Sequence, residues 1–411
     1  MNYEYVDSEI EWTEKSPSHW KKDKLFRLTQ NISSGGTPTS TNPEFYNGDI
    51  FWVQTGDLND GYLTDTSKKI TKYGLDNSSA KIFPKGTLLV AMYGATIGKL
   101  GIMTFDGATN QACCAMNYRK VVDSKYMFYM FLSMKEHLIN KSYGGGQPNI
   151  SQEVIKQEYL YYPPIDEQKQ IANYLDRACE KIDNTIKIKE QQIQEINRYK
   201  QSRFFEVLMR GLKQEESQST DVLWMPKIPI SWKIKRIKDI SHLKSGDGIT
   251  SLQINDFDTY PVYGGNGLRG YTSSYTHEGD FVLIGRQGAL CGNINYANGV
   301  FWASEHAVVC RPIKTYDVYW FGEMLRLMNL NQYSNAAAQP GLAVEKVKNL
   351  KLPFPPYNEQ VEITKVLKNI STTTDNLIQK LKSQIKTLKD YRKSLIFECV
   401  TGKKQIYKGE I

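Results

Sequence analysis

Three strings in this 411-residue chain have the residue types of catalytic or cofactor-binding motifs, and each lacks something its chemistry requires. Residues 94–99 (GATIGK) are one residue short of a phosphate-cradling loop, and Leu100 stands where a Ser or Thr hydroxyl would bind magnesium. Residues 354–357 (FPPY) have the outline of a tetrapeptide that holds an amine for methyl transfer. Phe354 offers that amine no polar atom, and no Gly-rich cofactor loop follows a first strand. Glu167-Gln168-Lys169 contains the Glu-x-Lys used by metal-dependent nucleases, but no well-spaced Asp accompanies it. No Ser/His/Asp or Cys/His arrangement has support. The six Cys form no CxxC and the five His are scattered, which predicts a reducing cytoplasm and no structural zinc. The chain reads as a binder whose chemistry is supplied elsewhere.

Composition narrows what is bound. Net charge is +8, with 26 Tyr and 7 Trp, a balance that fits nucleic-acid contact without establishing it. No stretch of about 18 apolar residues exists, so no membrane span is expected, and residues 1–15 lack the apolar core of a secretion signal.

The elements that must position any binding residues are written twice. Residues 166–212 contain no Pro and no Gly before Gly211, and Ile171, Leu175, Ala178, Ile182, Ile186, Ile193 and Ile196 recur at helical spacing. The second run, residues 358–403, steps through Ile363, Leu367, Ile370, Leu377, Leu381, Ile385, Leu388 and Leu395. Each run follows a Pro-Pro pair, opens near an N-cap type (Asp166, Asn358) and closes near a Gly. Some 46 residues at 1.5 Å each give a rod of about 70 Å. A polar rod with so narrow a stripe needs a partner, and the other copy supplies it.

The repetition extends to the whole chain. Trp12, Pro17 and Trp20 match Trp224, Pro229 and Trp232 at an offset of 212; Glu167-Gln168 match Glu359-Gln360 at 192. Between them GTLLVAMYGATIGKLGI (from Gly86) answers GDFVLIGRQGALCGNI (from Gly279), and ATNQA (from Ala108) answers ASEHA (from Ala303). The falling offset gives the first copy roughly 19 extra residues, between about residues 36 and 85. TLLVAMYG and FVLIG read as buried strands, and GIMTF and NINYA as their partners after tight Gly turns. YPVYGGNGLRGY reads as a strand and then a Gly-rich loop. Short helices are expected over residues 124–140 and 316–329. Each module is thus mixed α/β.

These features in this order, together with SSGGTP (from Ser33), FWVQTGDL (from Phe51), GGQPNIS (from Gly145) and PPIDEQKQIANYL (from Pro163), resemble the DNA-specificity subunits of type I restriction-modification enzymes. The resemblance spans essentially the full chain. It implies an α+β architecture: two mixed α/β target-recognition domains joined by two long antiparallel coiled-coil helices in a pseudo-two-fold internal repeat. The expected divisions are 1–165, 166–212, 213–357 and 358–411. It also implies a non-catalytic subunit in which each domain reads one half of a bipartite, asymmetric site on double-stranded DNA. Two adenine-N6 methyltransferase subunits using S-adenosylmethionine would be bound, with restriction/translocase subunits that use ATP and Mg; this chain itself would hold no cofactor. Gly341-Leu342 stand where the first copy has Asn149-Ile150, and His306 where it has Gln111.

Base reading needs planar or bidentate hydrogen-bonding groups. In the first module the candidates are Gln54, Thr55, Tyr93, Gln111, Gln147 and Asn149, with Gly35, Gly36 and Thr37 letting backbone approach phosphate. In the second they are Tyr263, Asn266, Arg269, Arg286, Gln287, His306 and Gln339. A self-contained DNA methyltransferase or nuclease is the rival enzyme reading, opposed by the missing cofactor loop. A coiled-coil scaffold without DNA is the other, and it leaves the divergent Gly- and aromatic-rich modules unexplained.

Overall fold

The structure, a computed structural model, describes residues 3–143, 148–213, 215–222, 224–288, 290–334 and 341–406. Residues 1–189 with 383–411 form one compact unit and residues 190–382 the other, so each unit draws on both long helices.

In the first unit a five-stranded sheet carries β1 (Thr29–Ser34), and a four-stranded sheet carries β2 (Tyr46–Val53). The other strands of interest are β3 (Leu88–Ala91), β4 (Leu100–Met103), β5 (Gly107–Thr109) and β6 (Cys113–Tyr118). β6 lies between β1 and β3, antiparallel to both, while β5 runs parallel to β2. All four residues of β3 and all four of β4 are buried, as expected for continuous apolar runs covered on both faces. The predicted strand in TLLVAMYG stops at Ala91, because the chain turns off at Met92. The extra residues of this copy include a short strand, Gly61–Leu63, parallel to the outer edge of β4. The helix expected over 124–140 is α1 (Ser124–Ser133), capped by the Asp123 side chain, and a separate turn at Lys135–Asn140 after Met134.

The first long helix, α2 (Ile165–Arg210), begins one residue before the expected cap. The carbonyl of Pro164 accepts the N–H of Gln168 at 3.0 Å, so Asp166 lies inside the first turn. A proline there leaves no amide without a partner, and the acidic residue still faces the helix's positive end.

The second unit repeats the plan with β7 (Ser241–Ser245), β8 (Tyr260–Gly264), β9 (Phe281–Gly285), β10 (Ile294–Ala297), β11 (Val300–Ala303) and β12 (Ala307–Pro312). β12 again lies between β7 and β9, and β11 again runs parallel to β8. GGNGLRGY, expected as a loop, is instead the turn and second strand (Gly267–Thr272) of a hairpin on β8. Gly267 and Gly270 take φ of 94° and 144°, which lets the strand turn back and bulge where other residues would be strained. Helix α3 (Val318–Leu327) is capped by Asp317, and α4 (Tyr357–Val400) is the second long helix.

Within each unit the long helices pair antiparallel. Asp183 and Arg392 meet at 3.1 Å and Lys189 reaches Gln384 at 2.8 Å in the first unit; Lys200 meets Asp375 at 2.9 Å in the second. The buried stripe runs through Ile171, Leu175, Cys179, Ile182 and Ile186, so Cys179 and not Ala178 is its inward residue. On α4, Leu377 is exposed and Ile378 is buried in its place, next to buried Thr374. Steps of four there keep the seam facing the partner helix.

The repeated Trp and Glu-Gln motifs are one clamp. Trp20 Nε1 donates to Glu167 at 3.1 Å, and Trp232 Nε1 donates to Glu359 at 3.1 Å. Gln168 takes the N–H of Asp123 at 2.9 Å and donates to Pro163 O at 2.8 Å; Gln360 does the same with Asp317 and Pro355, at 2.9 Å each. Each buried glutamine thereby ties the start of a long helix to the cap of the preceding short one. Gly211 and Gly402, at φ of 69° and 75°, end the long helices against Trp232 and Trp20 respectively. A Cβ on Gly402 would stand 2.4 Å from Pro17, so the turn and the contact both require glycine.

Candidate nucleic-acid interface

In the first unit, four strand ends and one strand start converge on a single edge. Gly36 N–H, after β1, donates to Thr109 O at the end of β5 (2.9 Å). Asn110 N–H, after β5, donates to Val53 O at the end of β2 (3.0 Å), and Met92 N–H, after β3, to Ala112 O just before β6 (2.9 Å). Ile150 N–H closes the cluster on Met92 O at 2.7 Å. Candidates more than fifty positions apart thereby become neighbours. The hydroxyl of exposed Thr37 donates to Gln111 Oε1, and Tyr93 bridges to Asn149, which exchanges backbone bonds with Tyr143. Gln54 and Thr55 form the turn beside Asn110, with the Gln54 N–H held by Asp57 Oδ2 at 2.8 Å. Gln147 lies outside the described residues.

The two glycines are held by the protein itself. A Cβ on Gly35 would fall 1.8 Å from Thr109 O, and one on Gly36 would fall 2.0 Å from Ser79 Oγ. Gly36 is buried, its N–H is engaged by Thr109, and its carbonyl takes the Trp52 indole at 3.0 Å. The close contacts of these glycines within the protein are to Thr109 and Ser79, and Thr37 is the first exposed group after them.

The second unit builds the same edge from different side chains. Ser304 N–H donates to Tyr263 O at 2.9 Å, Arg286 N–H to His306 O at 2.9 Å, and Leu342 N–H to Arg286 O at 2.8 Å. These bonds equate Arg286 with Met92 and His306 with Ala112, so Glu305, not His306, occupies the place of Gln111. The alignment of ASEHA with ATNQA is therefore off by one residue. His306 Nε2 and Glu305 Oε1 are 3.1 Å apart, and the other Glu305 oxygen is buried without a hydrogen-bond partner among the described residues. Glu305 is the polar residue that sequence reasoning missed; only the strand register, through the parallel pair Tyr263–Ala303, reveals it.

Arg286 is half-buried and its guanidinium donates to Ser245 Oγ at 3.1 Å. In the first unit the equivalent Ser34 Oγ is met by Gln152 at 2.6 Å. Gln287 is exposed and bridges to Gly341, while exposed Asn266 accepts from Asn293 at 3.2 Å. Exposed Arg269 lays its stem along Gly264, where a Cβ would be 2.4 Å from its Cδ. Gln339 lies outside the described residues. Burial raises the phenols of Tyr93 and Tyr263, so both remain neutral hydrogen-bonding groups at physiological pH. Among the described residues no group of three or more His, Cys, Asp or Glu could hold a metal ion, and no helix is long and apolar enough to cross a membrane.

An edge of loops with exposed amide, hydroxyl, phenol and guanidinium groups, on a strand frame repeated with different side chains, has the chemistry of polar surface recognition. The type I restriction modification DNA specificity domain family matches residues 17–198 and 229–387. The chain belongs to that family. It is 31% identical over 389 residues to the specificity subunit of the type I restriction enzyme EcoprrI of Escherichia coli, covering 90% of each chain. In fold it is similar to a chain from a structural study of complex assembly and conformational transition of the type I R-M system (TM-score 0.76, 15% identity, 94% of this chain and 99% of that one). It is also similar in fold to the HsdS subunit of Thermoanaerobacter tengcongensis (TM-score 0.56, 16% identity, 94% and 98%).

Proposed function

We propose that this chain is the non-catalytic DNA-reading subunit of a type I restriction-modification complex, with each module reading one half of a bipartite, asymmetric site. The observation that carries this is the doubled edge: one hydrogen-bonded frame presents Thr37, Gln54, Tyr93 and Gln111 in one unit and Tyr263, Arg286, Glu305 and His306 in the other. A scaffold has no need to vary its side chains at the loop ends while keeping the same backbone hydrogen bonds beneath them. Amide groups suit adenine, guanidinium suits guanine, and a carboxylate suits the cytosine amino group.

In this reading the long helices set the spacer between the half-sites, as dimer geometry does in other DNA binders. The chain binds two adenine-N6 methyltransferase subunits, and restriction/translocase subunits join the assembly. S-adenosylmethionine, ATP and Mg serve those partners. The target adenine must leave the base stack to be methylated, so this chain supplies position and its partner supplies the chemistry. Mapping N6-methyladenine across a genome with and without this chain, methyltransferase present in both cases, tests the reading. A split motif that appears only with the chain supports it, and methylation unaffected by the chain refutes it.

A further inference from the structure

The two units differ at one sheet edge. In the first, the outer side of β4 is covered by residues 60–63. Asp60 N–H donates to Leu100 O at 2.9 Å, Asp60 Oδ1 takes Leu100 N–H at 2.8 Å, and Gly61–Leu63 pairs in parallel with residues 101–103. Tyr62 of that segment lies under the Lys125 ammonium, 5.8 Å from its ring centre, and Lys125 is paired to Asp176 of α2 at 2.9 Å. The second unit lacks these residues. Its equivalent strand, β10, is the last of its sheet among the described residues. The carbonyl of Ile294, counterpart of Leu100, takes the Arg326 guanidinium at 3.2 Å in place of a strand amide. Beside this edge lies a cavity of about 680 Å³ whose walls include Tyr296, Tyr319, Arg326, Phe204 and Ser371.

One wall of the cavity, Tyr319, stands where Lys125 lies over Tyr62 in the first unit. The Lys125–Asp176 ion pair is replaced by Tyr319 and Lys368, whose ammonium lies over the Tyr319 ring at 5.2 Å. Tyr296 of β10 stacks on Tyr319, with ring centres 5.3 Å apart and an interplanar angle of 19°. The ladder with β9 uses Asn295 and Ala297, opposite Leu283 and Phe281, so the backbone of Tyr296 points outward with no partner strand among the described residues. An unpaired strand beside an aromatic-lined cavity is the arrangement that accepts an added strand, main chain giving affinity and the pocket choosing the side chain.

We propose that the outer edge of β10 takes an extended segment of a partner polypeptide in parallel pairing. The segment has the pattern that fills the edge in the first unit: an acidic residue, a small one, then an aromatic ring that enters the cavity against Tyr319. Arg326 holds the place of the incoming N–H on Ile294 O until the segment arrives. The proposal concerns protein–protein contact and stands whether or not the modules read DNA.

The test uses the full chain, with or without DNA, and an end-blocked peptide of residues 59–64 (NDGYLT). Saturable binding below about 1 mM is expected, with hydrogen exchange of the Tyr296 amide slowed at least about tenfold. The same peptide N-methylated at the Asp60 position cannot donate to Ile294 O and should bind at least about tenfold more weakly. Ser371→Trp, which fills the cavity from α4, should weaken binding of the unmodified peptide. No saturable binding at 1 mM, binding that leaves the Tyr296 amide unprotected, or equal affinity for the N-methylated peptide would each overturn the proposal.

Discussion

The indole of Trp232 donates to a carboxylate oxygen of Glu359 at 3.1 Å, and the second oxygen of that buried carboxylate has no hydrogen-bond partner among the described residues. The first unit's counterpart is better supplied: Glu167 receives Trp20 at 3.1 Å, His19 at 3.0 Å and the Tyr3 hydroxyl. The same clamp is therefore thinly supplied in one copy and well supplied in the other.

Removing the indole donor should separate the two copies. Trp232→Phe leaves Glu359 buried with neither oxygen satisfied and should cost about 1.5–3 kcal/mol, the range for a lost hydrogen bond to a charged group. Trp20→Phe should cost about 1 kcal/mol less, since Glu167 keeps its other partners. Urea unfolding of the two variants checks the order; equal losses would mean that lost ring volume dominates.

Gly36→Ala should destabilise the first unit by about 1–3 kcal/mol, as overpacking does, because its Cβ would meet Ser79 Oγ at 2.0 Å. Thermal unfolding reads this directly. A variant that folds normally and loses only DNA affinity would return this glycine to the role of a phosphate contact.

Arg286→Ala should weaken specific DNA binding by about 1–3 kcal/mol and relax a single base position. A loss uniform across sequences marks a phosphate contact instead. Arg286→Lys keeps the charge but gives up the planar fork, so it should restore little of the discrimination.

All six cysteines are buried thiols. Burial pushes the Cys114 thiol up to about 12 and the Cys179 thiol up to about 11. Thiol labelling at pH 8 should be slow in the native chain and complete only after denaturation. A raised thiol value favours the folded state below the thiol's ordinary value, and that stability is lost as pH rises from there toward 11 and 12. Unfolding midpoints should therefore fall above about pH 8.5, and a midpoint flat to pH 11 would contradict this.

Periodicity exposes the long helices because a 46-residue polar helix must keep its apolar residues on one seam. The repeat exposes the frame because Trp20, Gln168 and their copies make the same hydrogen bonds. What stays hidden is register. Asp166 is displaced from the cap by a proline carbonyl, and Ala178 has the spacing of a seam residue while its neighbour Cys179 is the one turned inward. The pairing of Gln111 with Glu305 depends on which carbonyl Asn110 and Ser304 choose, and nothing in ATNQA or ASEHA records that choice. The open edge of β10 is legible only by contrast, since what sets it apart is residues the second copy does not have.

The central claim is that two independent reading edges share one frame. Its most direct measurement is the N6-methyladenine motif written by a chain whose residues 246–343 come from another family member, methyltransferase unchanged. The expected result is a new second half-site, with the first half-site and the spacer as before. A motif altered in both halves, or one with no split at all, would contradict it.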